Sequence, residues 1–344
     1  MKKTINAEFT KKVNQQKILH LIREENCSRI ELAKKTGLTR AAISLICDNL
    51  LDKGLIIETG AKKPQGGRPK IALEINKNYG LLGAISFTRD EYYIGIADFS
   101  GCTIIEGKGF LNKDEPLITL NKMVDFFNKN LQNQKLLGIG ICAPGPLNKT
   151  HGKLLKLANL NAWSNLEICA YFENKFNCRT VLDNFSNGLA LAECMINPNC
   201  QNSYLELVID SGFGSAVVSQ DSINILSECE LGHISIDMHG KKCDCGNVGC
   251  SELYVNAQKF YGSKEEKDDF YKALSSVILT AYNIYKTKQI IIFSQFNCDF
   301  QSFKNELENH LKKKSTIDFD IQKSKLENKH IFTSVNLWFV NECY

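Results

Sequence analysis

The chain has 344 residues, 43% of them hydrophobic and 23% charged, a balance that suits a globular protein larger than one ordinary domain. No apolar run approaches the length of a bilayer span, and Met1-Lys2-Lys3-Thr4-Ile5-Asn6 leads into Glu8 and Lys11-Lys12 rather than an apolar signal core, so a cytoplasmic protein is expected. The formal charge is +4, but residues 1–74 hold 15 Lys and Arg against 8 Asp and Glu, while the remainder holds 27 against 30; the cations are gathered at one end, as on a polyanion-binding head.

From Asn14 to Glu25, Ile18, Leu21 and Ile22 recur at helical spacing. A second helix starts at Ser28, a capping residue with Glu31 three positions on, and stops at Gly37. Thr39 caps a third, with Ile43, Ile46 and Leu50 inward and Arg40, Ala41, Ser44 and Asn49 outward. Short turns between the helices give helix-turn-helix geometry. Leu55–Glu58 and Ile71–Glu74 read as two strands around a loop rich in Gly, Pro and Lys, the wing of a winged helix-turn-helix. In such a domain, assigned to residues 1–76, the expected DNA contacts are Ser28, Arg29, Thr39, Arg40, Ala41 and Ser44 from the helices, with Arg40 and Ser44 at the major groove. Lys62, Lys63, Gly67, Arg68 and Lys70 add contacts from the wing, where Arg68 suits a minor groove. The alternative is a trihelical protein-interaction module with a solvated basic loop.

Beyond Asn76 the pattern changes to strand, turn and helix units. Leu81–Phe87 and Tyr92–Asp98 form a hairpin, followed by a strand at Thr103–Glu106 and a helix at Leu117–Leu131. Leu137–Cys142 is a buried strand that ends in the turn Ala143-Pro144-Gly145-Pro146, and a second series opens with Tyr204–Ile209. This is an α/β body of two similar lobes, residues 77–344, with the second lobe starting near 185–205. Cys243, Cys245 and Cys250 stand apart from the other eleven cysteines, for which buried reduced thiols are expected. With His233 upstream they form a Cys3His set suited to structural tetrahedral zinc; the alternative is a reduced, metal-free loop.

Five stretches taken together carry a specific resemblance: the helical region from Asn14 through Ser28–Ala33, the Gly66-Gly67-Arg68-Pro69 wing, Gly138–Pro146, Asn184–Glu193, and Glu230-Leu231-Gly232-His233 followed by Cys243–Glu252. In that order they resemble the ROK family of repressors, open reading frames and sugar kinases, and within it the transcriptional regulators with a winged head. The resemblance implies an actin-like, ribonuclease-H-like two-lobed sugar-kinase fold, zinc on His233, Cys243, Cys245 and Cys250, and sugar contacts from Asn184, Glu230, His233 and Glu252.

Sugar phosphorylation needs a carboxylate to take the hydroxyl proton and glycine-rich turns for the nucleotide phosphates. Where ROK kinases read Asn-Asp-x-Asn this chain reads Asn184-Phe185-Ser186-Asn187, so Phe185 stands at the base position and is expected to add bulk at the sugar end of the cleft. Asp183 is one position too early. The phosphate loops Ser86-Phe87-Thr88-Arg89 and Asp210–Ser215 are eroded, and Ile290–Gln295 lacks paired glycines, so ATP binding is not expected. Trp163 lies in a segment resembling the one before the family's sugar site, or is a core aromatic. The expected function is a sugar-responsive, DNA-binding regulator without kinase activity, a repressor of carbohydrate genes with xylose as one candidate effector. A sugar or sugar phosphate, operator DNA and a second copy in a homodimer or larger oligomer are its expected partners, and the alternative is an ATP-dependent sugar kinase with a regulatory head.

Overall fold

The structure is a computed structural model that describes residues 7–62, 70–88, 90–132, 134–156, 160–197, 203–219, 224–294 and 297–326. The head comprises α1 (Ala7–Glu24), α2 (Arg29–Thr36), α3 (Arg40–Asp52), β1 (Ile56–Lys62) and β2 (Lys70–Ile75), the strands pairing antiparallel from Ile56↔Ile75. Its boundaries follow the capping chemistry. Ser28 accepts from the Glu31 N–H, while the Glu31 carboxylate takes the Ser28 N–H (2.9 Å), closing a capping box. Gly37 leaves α2 at φ +72°, a left-handed conformation that costs a residue with a Cβ more, and its N–H returns to the Ala33 carbonyl. Thr39 caps α3 through the Ala42 N–H (3.2 Å). In α1 the buried face is Ile18, Leu19 and Ile22, and Leu21, expected inward, is only partly covered.

The first lobe is built from β3 (Leu81–Phe87), β4 (Glu91–Asp98), β5 (Thr103–Phe110), α4 (Pro116–Asn130), β6 (Leu136–Ala143), the short pair β7 (Leu147–Asn148) and β8 (Lys153–Leu154), α5 (Ile168–Phe176) and β9 (Arg179–Asn184). Its sheet runs β5-β4-β3-β6-β9, an antiparallel meander extended by two parallel strands. After α6 (Phe185–Ile196), the second lobe has β10 (Tyr204–Ile209), β11 (Phe213–Ser219), β12 (Asn224–Glu228), α7 (Ala257–Phe260), α8 (Lys264–Tyr285), β13 (Gln289–Ser294), α9 (Phe300–Lys312) and β14 (Asp320–Lys323). Its order, β12-β11-β10-β13-β14, repeats the first sheet strand for strand and direction for direction.

Each sheet has its own core, one against α4 and α5 around Met123, Phe127 and Phe172, the other against α8 and α9 around Phe270, Val277 and Leu307. Trp163 belongs to the first of these, and its indole N–H donates to the Asn112 carbonyl (2.9 Å). The head's core is not closed on itself: Leu82, Phe99 and Leu137 of the first lobe complete it. No helix among the described residues is long and apolar enough to cross a membrane.

Candidate functional site

A cleft of about 500 Å3 is walled on the first-lobe side by the Pro144–Leu147 turn that ends β6, floored by the start of α6, and closed by the segments that carry Glu230, His233 and Glu252. All four residues singled out for sugar contact, Asn184, Glu230, His233 and Glu252, line it. Asn184 is also structural, because its Oδ1 caps α6 through the Ser186 N–H (3.0 Å) and its amide donates to the Gly145 carbonyl (3.4 Å). One amide hydrogen and one lone pair remain for a ligand. Sequence reasoning did not single out Lys149, Lys156 or Asp244, which also line the cleft; the two lysines come from segments without a motif, and Asp244 stands between two cysteines whose chemistry drew the reading instead.

Asp183 is buried, with Lys149 Nζ at 2.5 Å and the Asn187 amide at 2.8 Å, and it does not line the cleft. Phe185 differs from expectation. As the first residue of α6 it is rotated about 100° from its neighbour, and it packs against the buried cluster of Leu189, Ala192, Val208, Phe293 and Leu326 and is not among the residues that line the cleft. In the first phosphate-loop segment, Phe87 is buried against Trp163 and Thr88 closes the turn by accepting the Glu91 N–H (3.0 Å); Arg89 lies outside the described residues. In the second, Phe213 enters the second-lobe core, and a Cβ at Gly214 would stand 2.2 Å from Ser186 Oγ, so the hairpin is pressed onto α6.

Beside the cleft, one ligand atom each from His233, Cys243, Cys245 and Cys250 lie within 4.8 Å of one another. The Cys243 Sγ–His233 Nδ1 distance is 3.8 Å and the Cys245 Sγ–Cys250 Sγ distance 3.6 Å. Tetrahedral zinc, with bonds of about 2.3 Å to sulfur and about 2.0 Å to nitrogen, requires edges of roughly 3.5–3.8 Å. The quartet therefore fits such an ion in both donor chemistry and size. The loop is held by Cys243 N–H to Asn247 O (2.8 Å) and by Asn247 Nδ2 to His233 O (3.1 Å). At Gly249 a Cβ would fall 1.7 Å from the Asp237 carbonyl, so only glycine permits the crossing. Without a cation, burial pushes the Cys243 thiol up to about 12 and raises Cys250, the condition a bound dication reverses. Glu252 Oε1 stands 3.3 Å from Cys243 Sγ and 3.7 Å from His233 Nδ1, joining metal loop and cleft.

On the head, Arg40 and Ala41 are exposed and Ser44 is half-buried on the outer side of α3. Ser28 is corrected from a DNA contact to a structural residue: it is buried, and both its N–H and its hydroxyl are held by Glu31. Thr39 is exposed, but its hydroxyl oxygen is the α3 cap. Arg29 is likewise engaged, with Asp48 (2.7 Å) and Glu58 (3.2 Å). Lys63, Gly67 and Arg68 lie outside the described residues; Lys62 and Lys70 pair across the hairpin through their backbones, and their side chains lie outside the description.

Residues 111–283, half of the chain, match the ROK family. A xylose repressor of Bacillus spizizenii is 30% identical over 272 residues, covering 76% of this chain and 70% of that one. The chain belongs to the ROK family. Among its ROK relatives is also the DNA-binding transcriptional dual regulator NagC of Escherichia coli, 25% identical over 261 residues, covering 72% of this chain and 63% of that protein. A crystal structure of a ROK family transcriptional regulator, a homologue of the Escherichia coli Mlc protein, superposes with a TM-score of 0.77 at 21% identity, over 96% of both chains. The likeness of fold to that regulator thus extends over the head as well as the two lobes.

Proposed function

We propose that this chain is a sugar-responsive transcriptional repressor: residues 1–76 hold operator DNA, residues 77–344 hold the effector between two lobes, and no phosphoryl transfer takes place. The observation that carries the reading is the convergence of Asn184, Glu230, His233 and Glu252 on one cleft in a chain that also bears a capped helix-turn-helix with a cationic surplus. Polar groups of both signs around a cavity suit a polyol, which offers a donor and an acceptor at each hydroxyl. Xylose is the first effector to test, since the relative from Bacillus spizizenii is a xylose repressor; the NagC relatives named N-acetylglucosamine repressors make amino sugars and their phosphates the second. Structural zinc on His233, Cys243, Cys245 and Cys250 would hold the His233 ring and Glu252 at the cleft wall. A homodimer would present two heads to paired half-sites.

The absence of turnover rests on Phe185, which has no proton-accepting atom, and on the engagement of Asp183 by Lys149 and Asn187. The test is sequence-selective duplex binding by the zinc-loaded chain, titrated with salt and then with xylose, glucose and N-acetylglucosamine with and without phosphate. Selective, salt-sensitive binding that one sugar shifts is expected. Equal affinity for all duplexes with no sugar effect would refute the reading, and ATP-dependent phosphorylation of any of these sugars would establish the kinase instead.

A further inference from the structure

The outer face of α3 carries a side chain that neither core nor charge accounts for. At 100° per residue, Ile43, Ile46, Cys47 and Leu50 turn inward, and Leu45 falls at the opposite pole, 71% exposed. Ala41 lies one turn before it on the same line and is also exposed. Their polar neighbours are engaged elsewhere: Asp48 binds Arg29, Arg29 also binds Glu58, and Asn49 Oδ1 accepts from the Gln15 amide (2.8 Å). What this face offers at its centre is therefore a methyl and an isobutyl group, flanked by Arg40 and Ser44, whose side chains form no hydrogen bond among the described residues.

We propose that Leu45, with Ala41 beside it, reads the 5-methyl group of a thymine in the major groove; this rests on the DNA-binding reading of the head. The thymine methyl is the one apolar group that base edges present in that groove, so it is the feature an aliphatic side chain on a recognition helix can discriminate. Charge favours DNA over a protein occupant. Two acids share this face: Asp48, one turn on, whose carboxylate would repel phosphates if bare and is neutralised by the Arg29 guanidinium at 2.7 Å, and Asp52, at the far end of the helix. The surplus of cations in residues 1–74 supplies the attraction that does not depend on sequence.

The experiment uses the full zinc-loaded chain and duplexes enriched by it from a random pool, with each thymine replaced in turn by uracil, which lacks only the methyl. At one thymine in each half-site the wild-type protein should lose about four-fold in affinity, the weight of one methyl-sized apolar group. Leu45→Ala should bind the thymine and uracil duplexes equally, at about the wild-type affinity for uracil. Leu45 is outside every core, so the variant folds as the parent does. Should Leu45→Ala keep the uracil penalty, or should no uracil weaken the wild type although its binding is selective, the assignment is wrong. Failure to enrich any sequence would instead remove the DNA reading of the head, and Leu45 with it.

Discussion

Glu206 sits in the middle of β10 with no exposed surface, and neither of its carboxylate oxygens has a hydrogen-bond partner among the described residues. Burial, reinforced by the nearby Glu193 carboxylate of α6, raises its pKa well above the ordinary value of 4.5. The folded state thus binds a proton that the unfolded chain releases near 4.5, so this residue costs stability progressively as pH rises through its folded value. Glu206→Gln keeps the volume, removes the charge and supplies an amide donor toward Glu193. The variant should be more stable than the parent at and above neutral pH by about 1–3 kcal/mol, with the difference closing toward pH 4. Urea denaturation between pH 4 and 9 measures this, and parallel pH profiles for the two proteins would refute it. Much else at this scale is legible in the sequence where the chemistry is local: Ser28 and Thr39 start helices and Gly37 ends one through groups within four residues. The ion pairs of Arg29 and the packing of Phe185 are hidden for the complementary reason. They depend on Asp48 and Glu58, or on Val208 and Phe293, which only the tertiary fold brings near.

Two elements govern the cleft, the start of α6 and the loop from Cys243 to Cys250. The loop has almost no apolar content and turns twice through left-handed glycines, Gly246 (φ +99°) and Gly249 (φ +66°), so its shape depends on cross-links more than on burial. Cys245 is the exposed member of the metal quartet, and its replacement leaves the core intact. Cys245→Ser should lower zinc affinity beyond the roughly 100-fold that second-layer substitutions cost, and with it the sugar-induced rise in melting temperature, while the helical head keeps its fold. Metal content per chain by elemental analysis, together with thermal shift with and without sugar, checks both parts; full zinc occupancy in the variant would show that the quartet is not the metal centre. The spacing of the quartet was readable because thiolates and imidazole advertise their chemistry. The salt bridge from Lys149 to Asp183, which fixes the turn after β7 onto the strand before α6, was not, since neither residue sits in a periodic pattern and they are far apart in sequence. The strands were readable from their apolar runs, but the strand-for-strand repetition of the two sheets emerges only from their pairing.

At the scale of the whole molecule, the decisive feature is where the head is attached. Its core continues into the first lobe through Leu82, Phe99 and Leu137, and the Phe99 ring packs 4.9 Å from that of Tyr79. Arg23 of α1 is half-buried in the same seam, where its guanidinium donates to the Phe99 carbonyl (3.3 Å) and desolvation lowers its pKa to about 10 against the opposing pull of Asp98. A head that shares its core with the first lobe is expected to move with it. Were a sugar to draw the second lobe toward the first, the change would reach DNA through the lobe that carries the head, and the strength of the response would depend on the rigidity of the seam. Phe99→Leu tests this because it removes the aromatic contact at a cost of about 1–1.5 kcal/mol, too little to unfold a chain of this size. Sugar affinity without DNA and DNA affinity without sugar should each stay within about two-fold, while the factor by which one changes the other falls toward one. Both affinities and their coupling come from a single titration grid, with hydrogen exchange at α1 confirming that the seam has loosened. A loosened seam with undiminished coupling would mean that the sugar acts on DNA by a route that bypasses the first lobe.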